Sequence, residues 1–332
     1  MNEQLFKQLT QAKQASRHMM TMNTQSKNQA LIKIAQALKD HVLEIINENQ
    51  KDIEHAKASG MSDAMVDRLL LNEDRIVAMA DDVLKLVSLD DPVGDIIREI
   101  KRPNGLLIKQ VRVPIGIFGI IYESRPNVTV DIACLCIKSG NVCVLKGGKE
   151  AMHSNRILTK LMREAIKETL PVDCVQLIDY GGREMVDELI HAYGYVDVVV
   201  PRGGAGLIQH VVQNATVPVI ETGAGNCHLY IDKEADLKKA IDITVNAKIQ
   251  RPSVCNAIET ILVHQDIADT YLPLLYEAFH ERVDIRGDSK VQKIIPCQLA
   301  TLTDYATEYD DYIVAVKIVD SLKEAIEHIY QY

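Results

Sequence analysis

Hydrophobic residues in the first ninety positions recur at three- and four-residue steps. Leu31, Ile34, Leu38, Val42 and Ile45 follow this spacing, and charged residues stand between them. Such spacing is typical of amphipathic helices that bury one face and expose the other. We therefore predict that the N-terminal region is helical.

The pattern changes to alternation between residues 96 and 113. Ile96, Arg98 and Ile100 alternate before a Pro-Asn-Gly turn at 103–105, and residues 107–113 alternate after it. Alternation on both sides of a glycine-containing turn predicts a β-hairpin. An arm that pairs with another subunit and an ordinary surface hairpin both fit this pattern.

From residue 114 onward, apolar segments that suit strands alternate with segments that suit helices. Repeated strand-helix units with apolar strands predict an α/β fold, in which a parallel sheet is covered on both faces. This is a nucleotide-binding architecture. The glycines at 223 and 225 mark a candidate domain boundary. The strands of the first part are predicted at 115–122, 141–145, 175–179, 196–200 and 217–220.

Length and charge narrow the class of protein. A chain of 332 residues exceeds the size at which one hydrophobic core keeps growing, so we expect two domains. The net charge is −9, and no run of basic residues is present, which argues against nucleic acid or a membrane surface as a partner. The N-terminus lacks the apolar segment of a signal peptide, so we expect a cytoplasmic protein.

The seven cysteines include no Cys-x-x-Cys pair, which predicts reduced thiols and no metal site. Most cysteines of such a set are small core residues. Cys255 differs in its context, because it precedes the β-prone run 258–263 and follows Arg251 by four residues. A thiol held before a strand and beside a cation can attack a carbonyl carbon as a thiolate.

Two glycine-containing loops follow predicted strands. Gly203 and Gly204 stand between a strand and a helix, where main-chain amides can bind the pyrophosphate of a dinucleotide. A plain strand-to-helix turn would use glycine as well. Lys146 opens the segment Lys-Gly-Gly-Lys-Glu, which departs from a P-loop at Cys143 and Glu150, so that ATP chemistry is not expected. A lysine here can instead meet the adenosine ribose.

Five segments together resemble the γ-glutamyl phosphate reductase family of the aldehyde dehydrogenase superfamily, in matching order and spacing over essentially the whole chain. The resemblance implies NADPH-dependent reduction of L-glutamate 5-phosphate to L-glutamate 5-semialdehyde, with release of phosphate, in proline synthesis. The segments are 122–129, 146–150, 201–204, 223–228 and 250–256.

The resemblance also implies a division of the chain. Residues 1–95 and 114–225 would form a Rossmann-like NADP-binding domain, and residues 96–113 a β-hairpin oligomerisation arm. Residues 226–332 would form an α/β catalytic domain that lacks the C-terminal part of the family fold. We expect a homo-oligomer, a dimer or a tetramer, which that shortening would weaken.

By the same resemblance, Cys255 is the nucleophile and Asn127 supplies a side-chain amide to the oxyanion hole. Lys146 meets the adenosine ribose, and Gly203 and Gly204 form the turn against the pyrophosphate. We expect no metal in this reaction.

Three further residues have roles that stay open. Arg125 and Arg251 are candidate contacts for the substrate's phosphate and α-carboxylate, or structural arginines that tie loops together. Glu221 aligns with the glutamate that activates water in hydrolytic relatives, which a reductase does not need. We place it beside the cofactor, with a structural or proton-handling role.

Two other functions fit the sequence. The chain could be a non-phosphorylating semialdehyde dehydrogenase that uses Cys255 and Glu221. It could also be a shortened family member that folds or binds a partner without catalysis.

Overall fold

A computed structural model describes residues 1–221, 223 and 225–332. Ala224, which belongs to the glycine segment at 223–225, lies outside the described residues, as does Thr222. The chain forms two compact units. The first contains Met1–Ser62 and Leu69–Thr222, including the hairpin, and the second contains Asp63–Arg68 and Gly223–Tyr332. The second unit thus recruits a short N-terminal segment that the sequence did not single out.

The N-terminal region is helical, as predicted. Asparagine side chains at positions 2, 23 and 72 accept hydrogen bonds from the first turns of three of its helices, and thereby satisfy amides that lack a partner within the helix. The predicted periodic series is divided between two helices, because one helix ends at Asp40 and the next begins at Val42, with His41 between them. The helices are α1 (Glu3–Met19), α2 (Thr24–Asp40), α3 (Val42–Ala58), α4 (Asp63–Leu69) and α5 (Glu73–Ser88).

The predicted hairpin is confirmed. Strands β1 (Ile96–Lys101) and β2 (Leu107–Val111) pair antiparallel. Nearly all of their side chains are exposed, including Ile97 and Ile108. An isolated two-stranded ribbon has little stability of its own, so these apolar side chains gain little from pairing within the ribbon alone.

A four-stranded parallel sheet forms the centre of the first unit. Its order is β5-β4-β3-β6, and the order therefore reverses beside β3. In open α/β sheets, ligands bind at the carboxyl ends of the strands at such a switch point, here between β3 and β6. The strands are β3 (Ile117–Tyr122), β4 (Val142–Gly147), β5 (Val175–Leu177) and β6 (Val198–Arg202), and the helices are α6 (Pro126–Lys138), α7 (Met152–Ile166), α8 (Arg183–Ile190) and α9 (Ala205–Asn214).

The strand predicted at 217–220 is wrong as a strand. This segment makes only an isolated bridge, between Val219 and Val199. Proline has no amide proton to donate to a neighbouring strand, and Pro218 lies in the middle of the segment. The segment bonds to β6 through the carbonyl of Pro218 and the amide of Ile220 alone.

The second unit contains a five-stranded parallel sheet in the order β10-β9-β11-β8-β7. Strand β8, which lies between β11 and β7, is buried along its whole length and packs against α11. The strands are β7 (Cys227–Ile231), β8 (Ile258–His264), β9 (Asp284–Gly287), β10 (Gln298–Leu299) and β11 (Ile313–Val319), and the helices are α10 (Leu237–Ile249), α11 (Gln265–Phe279), α12 (Leu302–Tyr305) and α13 (Leu322–Gln331). No helix among the described residues has the length and apolar character needed to cross a bilayer.

A buried carboxylate from α3 caps helix α7. The residue before α7 supplies no capping side chain. Asp52 instead accepts hydrogen bonds from the amides of His153 and Ser154, at 3.1 and 2.8 Å, and from the Ser154 hydroxyl at 2.6 Å. Because α7 follows the loop after β4, the strand that carries Lys146, this cap fixes where that loop ends.

Replacement of Asp52 tests this cap. We expect Asp52→Ala to lower the free energy of unfolding by about 2 kcal/mol, because it leaves buried donors without an acceptor. Asp82→Ala, which removes an exposed carboxylate from a surface ion pair with Lys85, should cost less than about 0.5 kcal/mol. Urea denaturation measures both values, and equal losses would contradict the capping role.

Candidate active site

The loops that follow β3 and β6 meet at the switch point of the first sheet. The amide of Gly204 donates a hydrogen bond to the Glu123 carboxylate over 3.0 Å, immediately before α9. A Cβ atom on Gly203 would collide with the same carboxylate and with Leu207. Glycine at 203 is therefore what allows the two loops to pass so closely.

The start of α9 suits an anionic group. Glu123 accepts from the Gly204 amide, but among the described residues no side chain caps the first turn of this helix, and none lies near Gly206. Amides at a helix N-terminus bind phosphate through their hydrogen atoms and the helix dipole. Gly203 and Gly204 thus fit the pyrophosphate of a dinucleotide, although their contact with a cofactor stays a prediction. The sequence analysis missed Glu123, which stands in the motif at 122–129.

Lys146 lies near the carboxyl end of β4 and is buried. Its ammonium group donates a hydrogen bond to the Tyr180 carbonyl over 3.4 Å. Burial lowers the pKa of Lys146, because water no longer solvates the charged form. An ammonium whose hydrogen-bond partner is a neutral carbonyl can still bind a ribose hydroxyl or a phosphate. Lys149, by contrast, is exposed.

A strained residue fixes the loop between β3 and α6. Ser124 has a φ angle of 48°, which is uncommon for a residue other than glycine. Its amide and hydroxyl both donate to the Glu150 carboxylate, at 2.6 and 3.1 Å. Glu150, noted in the sequence only as a departure from a P-loop, therefore holds the loop that leads to Arg125 and Asn127.

Arg125 and Asn127 stand at the start of α6, where Pro126 occupies the first turn. Asn127 is exposed, and its side-chain amide donates to Asp131 over 2.9 Å. Burial raises the pKa of the Asp131 carboxyl. Within the described part of the chain, the Arg125 guanidinium forms no hydrogen bond or ion pair, which leaves it available to a ligand.

Cys255 is the one exposed thiol among the seven cysteines. It lies in the loop between α10 and β8, three residues before β8 begins in the second sheet. The four cysteines at positions 134, 136, 143 and 174 are buried in the first unit. Burial raises the pKa of Cys134 and Cys174, so these behave as inert core residues. Exposure to solvent thus distinguishes Cys255 from the cysteines that only pack in the hydrophobic core.

Arg251 is engaged by the segment that joins the second unit from the N-terminal region. Its Nε lies 3.2 Å from a carboxylate oxygen of Asp67. Arg68, the next residue, pairs with Asp310 over 3.3 Å. These two pairs attach residues 63–68 to the Cys255 loop and to the segment just before β11, which favours the structural role for Arg251. Its contact with substrate stays a prediction.

A buried ion pair joins the two ends of the Cys255 loop. The Lys248 ammonium lies 2.8 Å from the Glu259 carboxylate and donates to the Ile258 carbonyl over 2.9 Å. Both charged side chains are almost wholly buried. Burial lowers the pKa of Lys248 and raises that of Glu259, and each charge offsets part of the other's cost. The sequence pattern did not reveal this pair.

Glu308 is a further residue beside this loop. It accepts a hydrogen bond from the Gly225 amide over 3.2 Å. A Cβ atom on Gly225 would lie 2.8 Å from both a Glu308 oxygen and the Cys255 carbonyl.

The predicted cofactor-side residue Glu221 is exposed at the end of the first unit.

Comparison with known proteins identifies the family and the fold class of the chain. The profile of the aldehyde dehydrogenase family matches residues 2–293, and the chain belongs to that family. Its fold class is therefore the α/β aldehyde dehydrogenase fold that the sequence predicted. An acetylating aldehyde dehydrogenase from Geobacillus thermoglucosidasius shares the fold at 18% identity, with a TM-score of 0.74 over 98% of this chain and 77% of that one.

Within the family, the chain groups with the γ-glutamyl phosphate reductases, as the sequence also predicted. It is 51% identical to that enzyme from Petrotoga mobilis, over 100% of this chain and 80% of the relative. The enzyme from Carboxydothermus hydrogenoformans is 52% identical, over 97% and 78%. The crystal structure of the Thermotoga maritima enzyme superimposes with a TM-score of 0.88 at 45% identity, over 99% and 80%. The family implies a nicotinamide cofactor and a small-molecule substrate.

The buried pair at the Cys255 loop gives a prediction. We expect Lys248→Met to lower the free energy of unfolding by about 4 kcal/mol, because it leaves the Glu259 carboxylate buried without its counter-charge. Lys248→Met combined with Glu259→Met should return to within about 1 kcal/mol of the natural protein, since no buried charge remains.

Lys290→Met is the matched control. It removes a lysine from an exposed pair with Asp320 and should cost less than about 0.5 kcal/mol. Denaturant titration measures all three variants. If the single Lys248 variant is as stable as the control, the pair does not hold the loop.

Proposed function

We propose that the chain reduces L-glutamate 5-phosphate to L-glutamate 5-semialdehyde with NADPH and releases phosphate, as a step of proline biosynthesis in the cytoplasm. The observation that carries this proposal is the exposed Cys255 thiol, held in a loop anchored by buried charges. It occurs in a chain about half identical to γ-glutamyl phosphate reductases.

The nucleophile is the Cys255 thiolate. An acyl phosphate has a good leaving group, whereas a free carboxylate is anionic and resists attack. The sulfur adds to the acyl carbon, the C–O bond to phosphate breaks, and a thioester forms. The Cys255 main-chain amide and the Asn127 side chain are the proposed donors to the oxyanion that develops in this step.

The cofactor residues of the first unit are Lys146, Gly203 and Gly204. They would hold the ribose and the pyrophosphate, and Glu221 is assigned to the same side. When bound, NADPH supplies the hydride that reduces the acyl group. Cys255 then leaves as a thiolate when the resulting hemithioacetal opens to the aldehyde.

Arg125 is the preferred contact for an anionic group of the substrate. Its guanidinium is not engaged by the described residues, whereas Arg251 already pairs with Asp67. In a protein of net charge −9, such local cations must supply the attraction for phosphate and carboxylate.

The hairpin is the proposed contact between subunits of a homo-oligomer, a dimer or a tetramer. Its two strands expose apolar side chains on both faces. A second copy of the chain that pairs with this ribbon would bury those side chains and stabilise the strands.

Substitution of the nucleophile tests the mechanism. We expect Cys255→Ala to lower turnover by more than about a thousandfold, because no thioester forms, and Cys255→Ser to lower it strongly as well. Asn127→Ala should cost about a hundredfold, the usual effect of one oxyanion donor. An assay of NADPH oxidation measures these rates. Cys297→Ala is the matched control and should keep its activity, and Cys255→Ala with normal turnover would end the covalent mechanism.

Phosphate dependence separates this function from that of a non-phosphorylating dehydrogenase. In the reverse direction, aldehyde oxidation should require phosphate, because phosphate accepts the acyl group from the Cys255 thioester. Formation of NADPH from NADP is measured with and without phosphate. Equal rates would favour the non-phosphorylating alternative, and absence of both rates would favour a catalytically silent chain.

A further inference from the structure

A second cysteine lies against the nucleophile loop. Cys227 is the first residue of β7, the neighbour of β8 in the second sheet. Its thiol donates a hydrogen bond to the main-chain carbonyl of Cys255, with 3.3 Å between sulfur and oxygen. The two cysteines are 28 positions apart in sequence, so the fold alone brings them together.

The approach of the two chain segments is close. A Cβ atom on Gly225 would lie 2.8 Å from the Cys255 carbonyl oxygen and 3.4 Å from the Cys255 Cβ atom. The chain just before Cys227 therefore packs directly against Cys255, and the Cys227 sulfur itself touches the Cys255 main chain.

The two thiols differ in access to solvent. Cys255 is exposed, and Cys227 is half-buried. Burial raises the pKa of Cys227, which keeps this thiol protonated. An oxidant from solvent therefore reaches Cys255 first.

We propose that Cys227 and Cys255 form a reversible dithiol site for hydroperoxides. The Cys255 thiolate attacks the terminal oxygen of a hydroperoxide, the O–O bond breaks, and Cys255 becomes a sulfenic acid while an alcohol leaves. Cys227 sulfur then attacks the sulfenic sulfur, which releases water and forms the Cys227–Cys255 disulfide. The two thiols lose two electrons and two protons in total, and the hydroperoxide accepts them.

The disulfide would protect the nucleophile, an effect that rests on the proposed role of Cys255. A sulfenic acid without a neighbouring thiol proceeds to sulfinic and sulfonic acids, which thiol reductants do not reverse. Disulfide formation stops this progress while the enzyme is inactive. Reduction by a cellular dithiol then restores Cys255.

Cys297 supplies the matched control. It is half-buried like Cys227 and belongs to the same unit. Its sulfur packs against Gly287, where a Cβ atom would lie 2.7 Å away. Its removal should leave the pairing of Cys227 with Cys255 unchanged.

The test is peptide mass spectrometry of the whole chain after exposure to hydrogen peroxide, without reductant. Trypsin separates the two thiols, because Cys227 lies in the peptide 203–233 and Cys255 in the peptide 249–282, each with no other cysteine. Natural protein, Cys227→Ser and Cys297→Ser are treated alike, and half of each sample receives dithiothreitol.

We expect the natural protein and Cys297→Ser to yield the cross-linked pair of peptides, lighter by two hydrogens, and to regain nearly all of the Cys255 thiol after dithiothreitol. Cys227→Ser should yield no cross-link and should accumulate sulfinic acid at Cys255. If the natural protein shows no cross-link and loses the Cys255 thiol as irreversibly as Cys227→Ser, the proposal is overturned. A Cys255 that peroxide leaves unmodified would overturn it too.

The experiment is independent of the reductase assay. Both readouts are masses of peptides, so they are obtained even from a chain without turnover. The natural protein alone decides whether the disulfide forms, and a folding defect in a variant cannot obscure that result.

Discussion

The ion pair between Lys248 and Glu259 is the constraint on which the Cys255 loop depends. Two buried charges cost much more free energy apart than together, so the last turn of α10 and the start of β8 are held in one relation. The loop between them can therefore expose a thiol without losing its position. Arg251 and Asp67 add a second attachment from a distant part of the chain.

In the first unit, main-chain amides and a cation lie together at one edge of a parallel sheet. The reversal of strand order beside β3 brings the β3 and β6 loops together, and glycine at 203 permits their contact. The same edge carries Lys146 at the end of β4. In each unit, tightly packed residues thus hold a neighbouring loop in place, while the groups of that loop stay accessible to a ligand.

Much of this fold could be predicted from the sequence, because helical periodicity and strand-helix alternation are local signals. Cys255, Lys146, Gly203 and Gly204 could be singled out as candidates for the same reason, since each stands in a short motif beside a predicted element, and their roles stay predictions. The contacts that hold them could not be predicted. Glu123 meets Gly204 across 81 positions, and Asp52 caps Ser154 across 102. Such long-range contacts produce no repeating pattern of residues in the sequence. The amino-acid composition also does not show which lysines or glutamates are buried.

The central claim is that the glutamyl group becomes bonded to the sulfur of Cys255 before it is reduced. The most direct measurement is the mass of the peptide 249–282 after the protein is mixed with L-glutamate 5-phosphate in the absence of NADPH. The account predicts a glutamyl adduct on Cys255 that disappears, with formation of the semialdehyde, when NADPH is added. Semialdehyde formed at the normal rate by a protein whose Cys255 never carries the adduct would contradict it.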